Sequence, residues 1–264
     1  MQTQKNDIQK KQLLSVENIS KQFGGVTALN DVSFSFEPGM VTGLIGPNGS
    51  GKSTLFNIIT GFLKPDRGEV YFDNQAVNGT AAYAIAQKGL YRSFQMSLQP
   101  KKMTVMEVML LSPGQQMGDS LFRNIFQSKA IKQQDHHNLN RAWEILELIE
   151  IADKADTLVE GLSGGQKKLL SLGQALMVSP KLILLDEPVA GVNPKLIDKI
   201  CEILLKLKGQ GHNFLIVEHN MNFVRQICDM LYVLDAGEII AEGPTTKALE
   251  CEEVLHAYLA VTRN

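Results

Sequence analysis

The 264 residues are enough for one α/β core with a smaller appended subdomain. A formal net charge of −2, with Lys and Arg scattered rather than gathered in blocks, gives no reason to expect nucleic acid or another polyanion as partner. Three widely spaced cysteines, Cys201, Cys228 and Cys251, form no CxxC pair, which argues against a disulfide framework or a zinc site and fits a reducing, cytosolic compartment.

Residues 1–12 read as a polar tail without the apolar centre of a leader peptide, and no apolar run is long enough to cross a bilayer. Membrane contact is therefore expected to go through a partner. Leu13–Ser20 and Val32–Glu37 alternate apolar and polar residues, which predicts two half-buried antiparallel strands of one small sheet. Between them Phe23 offers a ring that could stack on a nucleobase or pack the sheet edge.

Met40–Ile45 reads as a short buried strand and runs into Gly46-Pro47-Asn48-Gly49-Ser50-Gly51-Lys52-Ser53-Thr54, which fits the P-loop pattern GxxxxGK[ST]. A loop that wraps a polyphosphate must turn its N–H groups inward, which residues lacking a β-carbon do at least cost. In this reading Gly46, Gly49 and Gly51 supply that freedom, Lys52 sits between the β- and γ-phosphates, and the Ser53 hydroxyl ligates Mg²⁺. The start of the following helix adds partial positive charge. The expected ligand is a magnesium nucleotide.

Gly61–Gly68 is turn chemistry, Glu69–Asp73 a short strand, and Gly89–Gln95 another, ending in a Gln amide able to meet Mg²⁺ or order a water. From about residue 96 apolar positions such as Val105, Val108, Met109, Leu139, Trp143, Leu146 and Ile149 follow helical spacing, marking an inserted helical subdomain at about 96–180. Asp135-His136-His137 sits in a polar stretch and reads as solvated rather than metal-binding. Leu162-Ser163-Gly164-Gly165-Gln166 opens an amphipathic helix, and Ser163 and Gln166 have capping-box spacing. The same donors could instead face outward to a phosphate.

Lys181–Glu187 is an apolar run ending in two carboxylates, as expected of a central parallel strand whose tip lines a ligand crevice. Asp186 is placed to hold Mg²⁺ and Glu187 to polarise an attacking water. Asn193-Pro194 then caps a helix closed by Gly209, and Asn213–His219 repeats the pattern of apolar strand and polar tip, with His219 able to donate to a γ-phosphate. A hairpin turning at Ala236-Gly237 and a helix over Val254–Val261 complete the chain.

In this order, with a single P-loop, the chain resembles the nucleotide-binding subunit of ATP-binding-cassette (ABC) transporters over nearly its full length. The resemblance implies a P-loop NTPase core, a mostly parallel sheet with flanking helices, joined by a small antiparallel β subdomain and an inserted α-helical one, with 13–264 as a single ABC ATPase domain. It implies that Phe23 stacks on adenine, that Gly46 to Thr54 cradle the phosphates of ATP, and that Gln95 senses Mg²⁺ and relays to the membrane partner. It further implies that Ser163, Gly164, Gly165 and Gln166 bind the γ-phosphate held by an opposite subunit, Asp186 holds Mg²⁺, Glu187 is the catalytic base and His219 the switch histidine.

Two cassettes, identical or related, would close around two ATP, serving transmembrane permease subunits and an external substrate-binding protein from the cytoplasmic face of the inner membrane. Where many members have Ala-Leu-Asp, this chain has Gly191-Val192-Asn193. Arg92-Ser-Phe-Gln95, Met103–Val108, Ala190–Pro194 and His256–Leu259 are similar to the branched-chain amino-acid uptake ATPases, whose relatives handle urea and short amides. The lipopolysaccharide-export ATPase is also similar. A soluble ABC ATPase of DNA repair or translation is the rival reading, but the chain lacks the sustained heptads, second cassette and basic surface expected of one.

Overall fold

The computed structural model describes residues 12–93, 100–112 and 128–261. They fall into two compact units, one built from the segments up to 85 and from 228 onward, the other from residues between 86 and 227.

In the first unit, Leu14–Phe23 pairs antiparallel with Val26–Phe36 on one side and with Arg67–Phe72 on the other, and Gln75–Ala76 extends the edge. The expected alternation is what the sheet uses. Leu14 lies opposite both Phe36 and Phe72, and Val16 opposite both Phe34 and Val70, so these three strands bury one face together. Fully burying each such side chain is worth about 1.5–3 kcal/mol. Separately, Val41–Ile45, buried at all five positions, runs parallel to Met230–Asp235, which turns through Ala236 and Gly237 into antiparallel Glu238–Pro244. The helix Lys52–Ile59 follows the first of these strands. The helix Glu252–Val261 ends the unit.

The second unit has the parallel trio Leu90–Ser93, Leu182–Asp186 and Phe214–Val217, with the carboxylate-bearing strand in the middle. Its helices include Val105–Leu111, Ser128–Leu148, Gly164–Met177 and Pro194–Gly209. Asp135, His136 and His137 lie exposed on the second of these. The Asn193 side chain accepts from Leu196 N–H at 3.0 Å, Pro194 occupies the first turn, and Ile200, Ile203, Leu204 and Leu207 form the buried stripe. Gly209 is the last helical residue rather than the stop; Gly211, at φ 90°, is the glycine in the left-handed region.

Candidate functional site

In the first unit the site is the loop between Val41–Ile45 and Lys52–Ile59. Gly46 has φ 153°, and a β-carbon there would lie 2.0 Å from the Leu234 carbonyl oxygen, so the loop leaves its strand pressed against the neighbouring one. The helix is entered through Gly51, left-handed at φ 108°, with no side-chain cap. A helix start without a side-chain cap leaves its first-turn N–H groups to other acceptors, the arrangement that favours an anion. Ser53 is exposed at this helix start.

Lys52 is almost wholly buried, and its ammonium turns back to donate to the carbonyls of Gly46 (2.9 Å) and Pro47 (2.8 Å) and to Ser50 Oγ (3.3 Å). A buried cation has to find acceptors, and here the loop itself supplies them. The strand Val26–Phe36 abuts the loop, since a β-carbon on Gly51 would come within 2.5 Å of the Ala28 carbonyl. Phe23 and Val26, paired at the free end of that hairpin, expose 48% and 68% of their surface, which leaves the Phe23 ring open for stacking rather than packed under the sheet edge. Lys21 Nζ lies 5.6 Å from the Phe23 ring centroid.

In the second unit the parallel register brings Asp186, Glu187 and His219 to one strand edge. Asp186 pairs with Val217, and Glu187 N–H donates to the Val217 carbonyl at 2.9 Å. Glu187 is in the left-handed region at φ 48°, uncommon for a residue with a side chain. Its Oε1 lies 3.8 Å from Nδ1 of His219, which is more than half exposed. Asp186 Oδ2 accepts from Arg92 Nη2 at 2.7 Å, with both side chains nearly buried; this partner was not foreseen from the sequence. Gln95 falls outside the described residues.

The opening of Gly164–Met177 is a complete capping box: Gln166 N–H donates to Ser163 Oγ at 3.2 Å, and Ser163 N–H to Gln166 Oε1 at 2.9 Å. Of the two competing uses of these groups, the structure shows the internal one. Gly164 and Gly165 contribute first-turn N–H groups, which have no intrahelical acceptor.

Two residues passed over in the sequence organise this edge. Glu218, its side chain 0% exposed, accepts from the N–H groups of Val189 (3.0 Å), His219 (2.8 Å) and Asn220 (3.0 Å). It thereby ties the turn after Glu187 to the turn carrying His219. Lys168 Nζ donates to the Glu187 carbonyl at 2.7 Å. A lone acid closing an otherwise apolar strand was the one available sign of Glu218.

Replacing Glu218 by Ala leaves the buried Val189 N–H and two part-buried N–H groups without their acceptor, at about 3 kcal/mol in sum, and is expected to lower the melting temperature by roughly 6–12 °C. Calorimetry of the variant checks this, and an unchanged transition would show that water replaces the carboxylate without loss.

Among the described residues no helix is long and apolar enough to cross a membrane. The sequence profile of the family described as ABC transporter matches residues 29–190. A probable branched-chain amino acid transport ATP-binding protein from Methanocaldococcus jannaschii is 44% identical over 232 residues, 88% of this chain and 90% of that protein. The crystal structure of the ADP conformation of an ATP-binding cassette of an ABC transporter superposes with TM-score 0.81 at 42% identity, covering 94% of this chain and 98% of the other. A dimeric cassette in a post-hydrolysis state, bound to ADP and Pi, has TM-score 0.70 at 27% identity, covering 88% and 98%.

Proposed function

The chain belongs to the ABC transporter family, and from that premise we propose that it is the ATP-hydrolysing subunit of an importer for branched-chain amino acids or a related small amide. The observation that carries the hydrolytic part is the uncapped, glycine-entered helix start behind Lys52, together with the strand tip that presents Asp186, Glu187 and His219. The cargo rests on the branched-chain amino acid transport ascribed to the relative from Methanocaldococcus jannaschii and on the motifs described above.

In this reading Gly46, Pro47, Asn48, Gly49, Ser50, Gly51 and Thr54 wrap the phosphates of ATP, and Lys52 exchanges its loop carbonyls for phosphate oxygens. Phe23 stacks on the base. By the family resemblance, Ser53, Gln95 and Asp186 would be the oxygen donors for Mg²⁺, a hard cation suited to hydroxyl, amide and carboxylate ligands. The ion, when bound, supplies charge neutralisation at the β- and γ-oxygens. Arg92 donates to Oδ2 of Asp186 and so fixes the carboxylate in place. Glu187 accepts the proton of the attacking water, and His219 donates to the γ-phosphate.

Ser163, Gly164, Gly165 and Gln166 serve the nucleotide of a second cassette, with the first-turn N–H groups as donors. The dimeric cassette among the structural relatives supports that arrangement. The subunit would sit on the cytoplasmic face of the inner membrane through permease subunits, which receive the work of closure.

Affinity capture of the chain from detergent-solubilised membranes of its host should co-purify multi-span proteins, a second cassette and an external amino-acid-binding protein. Recovery of ribosomes, DNA or only soluble factors would overturn the transporter assignment.

A further inference from the structure

Resting on that reading, we propose that Lys168 is a positioning residue: it fixes the backbone of the catalytic Glu187 to the phosphate-reading helix Gly164–Met177 of the same chain. The geometry carries this. Lys168 lies in the second turn of that helix, and its ammonium crosses to the Glu187 carbonyl at 2.7 Å, a charge-assisted contact. The same carbonyl accepts from Ala190 N–H at 3.3 Å, and the Glu187 N–H is held by Val217 at 2.9 Å.

These contacts hold a non-glycine residue in the left-handed region, φ 48°, immediately before Pro188, which has no N–H to contribute. Without Lys168 the Glu187 carbonyl loses its short charge-assisted bond and keeps the longer one from Ala190, so the peptide after Glu187 rotates more readily toward commoner backbone and the carboxylate turns with it. Lys168 is half-buried with the carboxylates of Glu218 and Glu187 as its charged surroundings; burial lowers its pKa and the two acids oppose that effect.

The consequence is a mechanical link within one subunit. The first turn of the helix contains Gly164, Gly165 and Gln166, assigned above to the nucleotide of the opposite cassette, and Lys168 is the next residue but one. An α-helix moves as a rigid piece over so short a span, so a shift at the capping box carries Lys168 and the Glu187 carbonyl with it. Alignment of the base in one site would then register the ligand at the other.

Lys168→Met keeps the apolar stem and removes the donor, whereas Lys168→Arg keeps the cation. In the assembled complex, Lys168→Met is expected to lower kcat at least about tenfold, because small misplacements of a reacting group are that costly. KM for ATP should stay within about twofold, since binding energy shared by ground and transition states is untouched. Lys168→Arg should recover most of kcat. Hydrogen exchange gives a readout independent of turnover: in the purified chain, the Glu187 and Ala190 amides should exchange faster in Lys168→Met than in the parent.

The proposal is overturned if kcat for Lys168→Met lies within twofold of the parent, or if the two variants lose kcat and melting temperature in parallel. Unchanged exchange at Glu187 and Ala190 would overturn it as well. A parent complex with no ATP turnover would instead sink the hydrolytic reading, while the exchange comparison would still decide whether Lys168 holds the turn.

Discussion

Glu187→Gln is expected to lower ATP turnover by about a hundredfold or more, the scale set by removing a positioned general base. The substitution leaves the surroundings almost untouched. The bonds to Val217 and from Lys168 and Ala190 belong to the backbone of the residue, and the amide has the shape of the carboxylate it replaces. Melting temperature and nucleotide affinity should therefore match the parent, and the loss should fall on kcat alone. With the chemical step blocked and ATP still bound, the cassettes should accumulate as a closed pair, visible as a dimer by light scattering in Mg-ATP. Turnover within a few-fold of the parent would remove Glu187 from the mechanism. Its 3.8 Å separation from His219 would then mark only two polar groups at the end of a sheet.

Lys52→Ala carries the second large effect, this time on affinity. Three acceptors face the ammonium: the carbonyls of Gly46 and Pro47, and Ser50 Oγ. Phosphate oxygens must offer a better set, and the difference is a charge-assisted exchange. Its loss is worth about 1.5–3 kcal/mol, or roughly 10- to 100-fold in Kd for ATP. The variant also leaves two carbonyls of the loop without their cation, so the loop itself loosens. Titration with a fluorescent ATP analogue reads the change, and an unaltered Kd would contradict the assignment of this loop as a phosphate cradle.

Much of this was legible where the information is local. The alternation in Leu13–Ser20 and Val32–Glu37 fixed which faces are buried, and the Asn193-Pro194 pair announced a helix start with its cap. The shared strand edge of Asp186, Glu187 and His219 followed from two apolar runs with polar tips, because parallel strands in register align their ends. The contacts that lock the edge were harder to foresee, since each joins residues far apart in the chain. Arg92 reaches Asp186 only because Leu90–Ser93 pairs with Leu182–Asp186, and nothing near Arg92 in sequence announces an acid. Glu218 gathers donors from two separate turns, and Lys168 depends on where its helix lies against the carboxylate strand. The inward turn of Lys52 reflects a competition between internal and external acceptors, which a motif describes from the ligand's side alone.

The division of the first unit between the two ends of the chain has a consequence for its synthesis. Val41 N–H is held by Asp229 Oδ2, 188 residues away in sequence, and Asn30 by Glu238 across 208 residues. The carbonyl of Leu234 that backs Gly46 belongs to the same late hairpin. On the ribosome, the glycine loop is made long before the hairpin that backs it. Until then the strand that feeds it lacks Met230–Asp235 as a neighbour, and closing so long a connection delays it further. The glycine loop thus gains its rigid backing only once residues 229–235 have been made, long after its own residues have left the ribosome.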